Sequence, residues 1–168
     1  LLQTLIEIGP ALLENPEDYA LQSDFMWTAT LALNGLIGVG VPQDWATHMI
    51  GHEITALHGL DHAQTLAIVL PSVMQEQRAA KRDKLLQYAD RVWHINEADE
   101  ERRIDLAISK TRGYFEQMGV KTRLSDYQIG AEAIPLMVQQ LEKHGLTQLG
   151  EREDIDLDKS RRILEASL

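Results

Sequence analysis

No cysteine occurs among the 168 residues. Disulfides, thiolate metal sites and cysteine nucleophiles are excluded together, so any metal centre must be built from His, Asp or Glu. Basic residues are scarce as well: 16 Lys and Arg face 26 Asp and Glu, for a formal net charge of −10. A surface of that sign repels phosphate backbones and anionic headgroups, which argues against nucleic acid and membrane as partners. No run approaches the roughly 18 consecutive apolar residues of a spanning helix, and the first residues lack the basic, apolar and small-residue order of a secretory leader. Alternating β-branched stretches, internal repeats and low-complexity tracts are missing too. A soluble, cytoplasmic protein is expected. The chain opens at Leu1 inside an amphipathic period, "LLQTLIEIG", rather than at a cap, and is therefore expected to be part of a longer polypeptide.

What the sequence does contain is helical periodicity. A chain of this length buries roughly 68–70% of the surface its unfolded form exposes, and no linker divides it, so residues 1–168 are expected to form a single all-α domain. Helices are predicted over 1–14, ended by Asn15-Pro16, and over 18–39, an apolar segment expected to be central. Val41-Pro42-Gln43-Asp44 opens a third, with Asp44 accepting first-turn amide hydrogens and Gly59 ending it. The apolar run from His62 should be buried, and Pro71 should kink or divide it. Further helices are predicted over 81–93, with Lys81, Arg82, Asp83 and Lys84 in solvent, and over 99–118, 131–143 and 156–167, the last capped by Asp156.

The stretch "HMIGHEITALHGLDH", residues 48–62, holds four of the six histidines. His48 and His52 are four apart, which places them on one helical face, about 40° from each other. His58 and His62 repeat the interval across Gly59. The metalloprotease signature H-E-x-x-H is absent, because Ala56 stands where the second histidine would. Spacing alone leaves open a metal site, a proton relay and ordinary polar residues hydrogen-bonded at helix ends. Asp44 also precedes His48 by four residues, a usable ligand spacing, but it is read as the helix cap.

The words around these histidines carry more. "GLIGVGVPQDWATHMIGHEITALHGLDHAQTLAIVLP", followed by "KLLQYADRVW", "FEQMGV", "LSDY" and "LTQLGE", resembles the C-terminal domain of the iron-containing, or group III metal-dependent, alcohol dehydrogenases. The resemblance covers essentially the whole chain and is closest to the NADPH-dependent aldehyde reductase and butanol dehydrogenase branch. It implies the multi-helix domain of the dehydroquinate synthase-like fold, with His48 and His62 as two ligands of a divalent metal. It implies His52, beside nicotinamide and substrate, as a proton-relay residue, and gives His58 no role. An Asp-x-x-x-His ligand pair and an α/β nucleotide-binding domain are implied upstream of Leu1. "GLIGVG" at 35–40 is not a phosphate loop, since its glycines follow a helix and miss the G-x-G-x-x-G spacing.

The activity implied is reversible reduction of aldehydes to primary alcohols by hydride transfer from NADPH, with zinc or iron as Lewis acid. The chain alone is expected to be inactive, to bind metal weakly or not at all, and to belong to a homo-oligomer. Trp27, Trp45 and Met49 are candidates for pocket lining, with core packing the simpler reading. Two other functions remain open: a structural or oligomerisation module, and a stand-alone metal-binding protein using His48, His52, His58 and His62.

Overall fold

Eight α-helices form, and an aspartate occupies the N-cap position of four of them. The computed structural model describes residues 1–168: α1 (Leu2–Glu14), α2 (Tyr19–Leu33), α3 (Ala46–His58), α4 (His62–Glu76), α5 (Arg82–Arg91), α6 (Glu100–Gln117), α7 (Ile134–Lys143) and α8 (Leu157–Glu165). No strand is present beyond an isolated bridge between Leu149 and Ile155, and the expected all-α class holds. Asp18, Asp99 and Asp156 accept first-turn amide hydrogens of α2, α6 and α8. Asp61 and Gln64 form a capping box on α4, with Gln64 Oε1 accepting from the Asp61 N–H at 2.9 Å. No helix is long and apolar enough to cross a membrane.

The main core lies among α3, α4, α7 and α8, where Ile50, Ile54, Ile68, Met137, Leu141 and Ile163 are fully buried. A smaller cluster of Leu85, Ile104 and Ile108 joins α5 to α6. Burying each such side chain contributes about 1.5–3 kcal/mol. Helix α3 is thus anchored by Ala46, Ile50 and Ile54 along one stripe, so its opposite face is free to carry other chemistry.

Four expectations need correction. The second helix stops at Leu33 rather than 39, because Gly35 turns the chain with φ of +88°. It is also not central: only Thr28 of α2 is buried, while Tyr19, Trp27 and Leu33 are 86%, 64% and 80% exposed. Pro71 does not divide its helix, since α4 runs unbroken from His62 to Glu76. Burial of Ala67, Ile68, Val69 and Val73 around Pro71 outweighs the roughly 3 kcal/mol that an interior proline costs. Lys81 is not solvated but paired with Asp44 and Glu151, each side chain being about one-fifth exposed.

Candidate metal centre

His48 and His52 stand on α3 two residues beyond Ala46 and Ile50, a rotation of roughly 200° that puts them opposite the buried stripe. His62 is the first residue of α4, placed by the Asp61–Gln64 cap and by the turn at Gly59, whose φ of +72° suits glycine. The two helices bring the three imidazoles together. Ring centres of His48 and His62 are 5.2 Å apart, those of His52 and His62 5.2 Å, and those of His48 and His52 6.4 Å. His58, at the far end of α3, is exposed and joins none of these contacts.

These separations can be compared with metal chemistry. A ring nitrogen about 2.1 Å from a zinc ion puts the ring centre about 3.2 Å from it, and two such rings at a tetrahedral angle stand about 5.2 Å apart. His48 with His62 meets that condition, and so does His52 with His62. At 6.4 Å, His48 and His52 would have to lie on opposite sides of the ion, so one tetrahedral ion does not take all three. No group of three or more His, Asp or Glu is arranged to hold an ion.

Burial lowers the His48 pKa, and the neighbouring imidazoles of His62 and then His52 lower it further. The neutral ring is thereby favoured, which is the form that binds a metal. No protein group hydrogen-bonds to the ring nitrogens of His48, His52 or His62, so their lone pairs are free for a ligand, and a pair of imidazoles fits a divalent ion. The Trp45 ring meets His48 edge-on, 4.9 Å between centres, at the open side of the cluster. Trp27 and Trp45 are 64% and 43% exposed and are not core residues, whereas Met49 packs against the main core.

Three supports were not read from the sequence. Lys81 Nζ binds Asp44, and it also donates to Glu151 Oε2 at 2.7 Å, tying the start of α3 to the 149–155 turn. Asp44 Oδ1 accepts the Ala46 N–H at 2.7 Å, as expected of a cap. Glu53, 5% exposed on α3, accepts from His144 Nδ1 at 2.7 Å, which fastens the histidine helix to the end of α7. Gly51 lies against Thr65 where α3 meets α4. Only Gly51 leaves a local sign, an isolated glycine within a helical pattern.

The chain is 62% identical to the NADPH-dependent aldehyde reductase YqhD of Escherichia coli (strain K12), over 99% of this chain and 43% of that protein. It is 33% identical to the probable NADH-dependent butanol dehydrogenase 1 of Bacillus subtilis (strain 168), over 100% of this chain and 43% of that one. The chain therefore spans less than half the length of these relatives. Its fold superposes on the substrate- and cofactor-free aldehyde reductase YqhD with a TM-score of 0.98 at 62% identity, covering 99% of this chain and 44% of that chain. On NADH-dependent butanol dehydrogenase A of Thermotoga maritima the TM-score is 0.90 at 27% identity, covering 98% and 43% of the two chains. Residues 1–166 match the family model described as Fe-containing alcohol dehydrogenase family, C-terminal, and the chain belongs to that family.

Proposed function

We propose that residues 1–168 form one helical domain of a metal-dependent, NADPH-using aldehyde reductase, and that His48 and His62 are two of the metal's ligands. The observation that carries an imidazole pair here is the 5.2 Å separation of His62 from each α3 histidine, with no competing hydrogen bonds, and the family resemblance selects His48 over His52 as its partner. Support for the reaction comes from relatives named as aldehyde reductase and butanol dehydrogenases. NADPH is preferred to NADH because the 62% identical relative uses it. Nucleotide binding and the remaining ligands fall to polypeptide outside these residues.

When bound, the ion, zinc or iron, would supply Lewis acidity toward the aldehyde oxygen. Residues of this chain do the rest of the work on their side of the cleft. His48 and His62 would hold the ion from two helices. Trp45 covers the side of His48 and presents an apolar wall, which suits short to medium aliphatic aldehydes. His52, 5.2 Å from His62 ring to ring, is the imidazole that would pass a proton to the product oxygen as hydride reaches the carbonyl carbon, a role supported by the family resemblance. The balance is one aldehyde, one NADPH and one proton giving one primary alcohol and one NADP⁺.

Metal analysis and turnover of the full-length protein test the assignment. His48→Ala and His62→Ala should lose bound metal and activity together. His52→Ala should keep the metal and slow turnover by about 10²–10⁴-fold, the usual worth of a positioned acid or base. Stoichiometric metal in His62→Ala, or its loss from His52→Ala, overturns the assignment. A second role is favoured by the apolar exposure of α2: Trp27 and Leu33 belong to a contact surface of the assembled homo-oligomer. Trp27→Lys should then lower the oligomer mass measured by light scattering, and an unchanged mass refutes that role.

A further inference from the structure

Helices α3 and α4 meet at Gly51 more closely than any side chain there would allow. A Cβ at Gly51 would lie 2.9 Å from Thr65 Oγ1 and 3.3 Å from Thr65 Cβ. The first distance is roughly half an ångström inside ordinary van der Waals contact. Thr65 cannot readily yield. It is fully buried, its β-branched side chain has few rotamers in a helix, and its hydroxyl donates to the His62 carbonyl at 2.9 Å. Gly51 cannot yield either, because Ile50 and Ile54 beside it are locked in the core. Each partner of this contact stands three residues, about one turn, after a histidine of the pair: Gly51 after His48, Thr65 after His62.

We propose that the Gly51–Thr65 contact is the spacer of the metal centre, and that both are positioning residues setting the distance between His48 and His62. The inference rests on reading those histidines as ligands. A methyl group at Gly51 pushes the first turn of α4 away from α3, and His62 moves with that turn. The helix by itself favours alanine over glycine at an interior position, so a loss of function on Gly51→Ala is not a propensity effect. The Thr65 hydroxyl has a second part in the device, since its bond to the His62 carbonyl makes the turn and the ligand one rigid unit.

The test uses the full-length, metal-loaded protein and four variants: Gly51→Ala, Thr65→Ala, the double variant and His48→Ala. Metal affinity is read by chelator competition, with kcat, KM, NADPH affinity and far-ultraviolet circular dichroism alongside. Gly51→Ala should weaken metal binding about 10–100-fold, the range for disturbing the support of a ligand, and should lower kcat. Helix content and NADPH affinity should stay unchanged. Adding Thr65→Ala to Gly51→Ala removes the 2.9 Å clash but also the bond to the His62 carbonyl, and should raise the affinity from that of Gly51→Ala to that of Thr65→Ala alone. Wild-type affinity in Gly51→Ala, or a double variant no better than the single, overturns the proposal. Should Gly51→Ala not fold, Thr65→Val carries the test: it keeps the shape, deletes the bond to His62, and must weaken metal binding. Metal retained by His48→Ala overturns both the ligand assignment and the spacer. Metal lost from His48→Ala but not from Gly51→Ala overturns the spacer alone.

Discussion

Asp44 stands four residues before His48, a spacing that two ligands of one ion can use, and replacing it separates a cap from a ligand. Its Oδ1 accepts the Ala46 N–H at 2.7 Å, and its other oxygen holds the Lys81 ammonium. Asp44→Asn keeps a capping oxygen and loses the charge, whereas Asp44→Ala loses both. Loss of a cap costs about 1 kcal/mol. The ion pair lies between two limits, since both side chains are 22% exposed. Exposed pairs are worth about 0.2–1 kcal/mol, and breaking a fully buried pair costs about 3–5 kcal/mol. Glu151 still holds Lys81 at 2.7 Å when Asp44 is gone, so the lower part of that range applies. Asp44→Asn should therefore cost about 1 kcal/mol and Asp44→Ala about 2 kcal/mol. For a domain of this size these are Tm decreases of about 2–4 °C and 4–8 °C. Thermal unfolding followed by circular dichroism reads the two shifts, and elemental analysis of the full-length protein should show unchanged metal content in both. Metal lost from a well-folded Asp44→Asn protein would make Asp44 a ligand and refute the reasoning.

The Lys81 ammonium gives a pH signature. Partial burial pulls its pKa down, but the hydrogen bonds and charges of Asp44 and Glu151 more than offset this and raise it above 10.5. A raised folded-state pKa means that the stabilisation is complete below the unfolded value and is lost as pH rises through the folded one. The stability gap between the wild type and Lys81→Met should therefore stay flat from about pH 7 to pH 9 and shrink only above the ordinary lysine range. Urea titrations across that interval check it, and a gap already closing at pH 8 contradicts it. His144→Ala removes the side-chain partner of Glu53, a carboxylate only 5% exposed, and should cost about 1–3 kcal/mol in the same assay. A loss below about 0.5 kcal/mol would show that water replaces the imidazole without penalty.

Features fixed by neighbours in sequence were legible. Asp99 and Asp156 start helices and Gly59 ends one because capping needs only residues within a turn of each other. Features fixed by distant partners were not. Lys81 looked like one charge in a solvated run, and its partners lie 37 and 70 residues away. Helix α2 was apolar enough to be read as central. Apolar content reports that a face is suited to burial, not that the same 168 residues supply the cover. Trp27 and Trp45 fell into the same error, while Met49, on the inner side of α3, packs as expected.

The histidines show the limit most clearly. Periodicity placed His48 and His52 on one face, yet the tighter ring pairs are His48 with His62 and His52 with His62, both made across the turn at Gly59. No helical period relates those partners, because the contact depends on how closely α3 and α4 approach, and that closeness is set where Gly51 meets Thr65. The same distances weigh against a stand-alone site of four histidines. His58 makes no ring contact with the other three, and His48 and His52 are too far apart to sit at a tetrahedral angle on one ion. An ion shared by His62 and one α3 histidine thus has coordination positions that these imidazoles cannot fill.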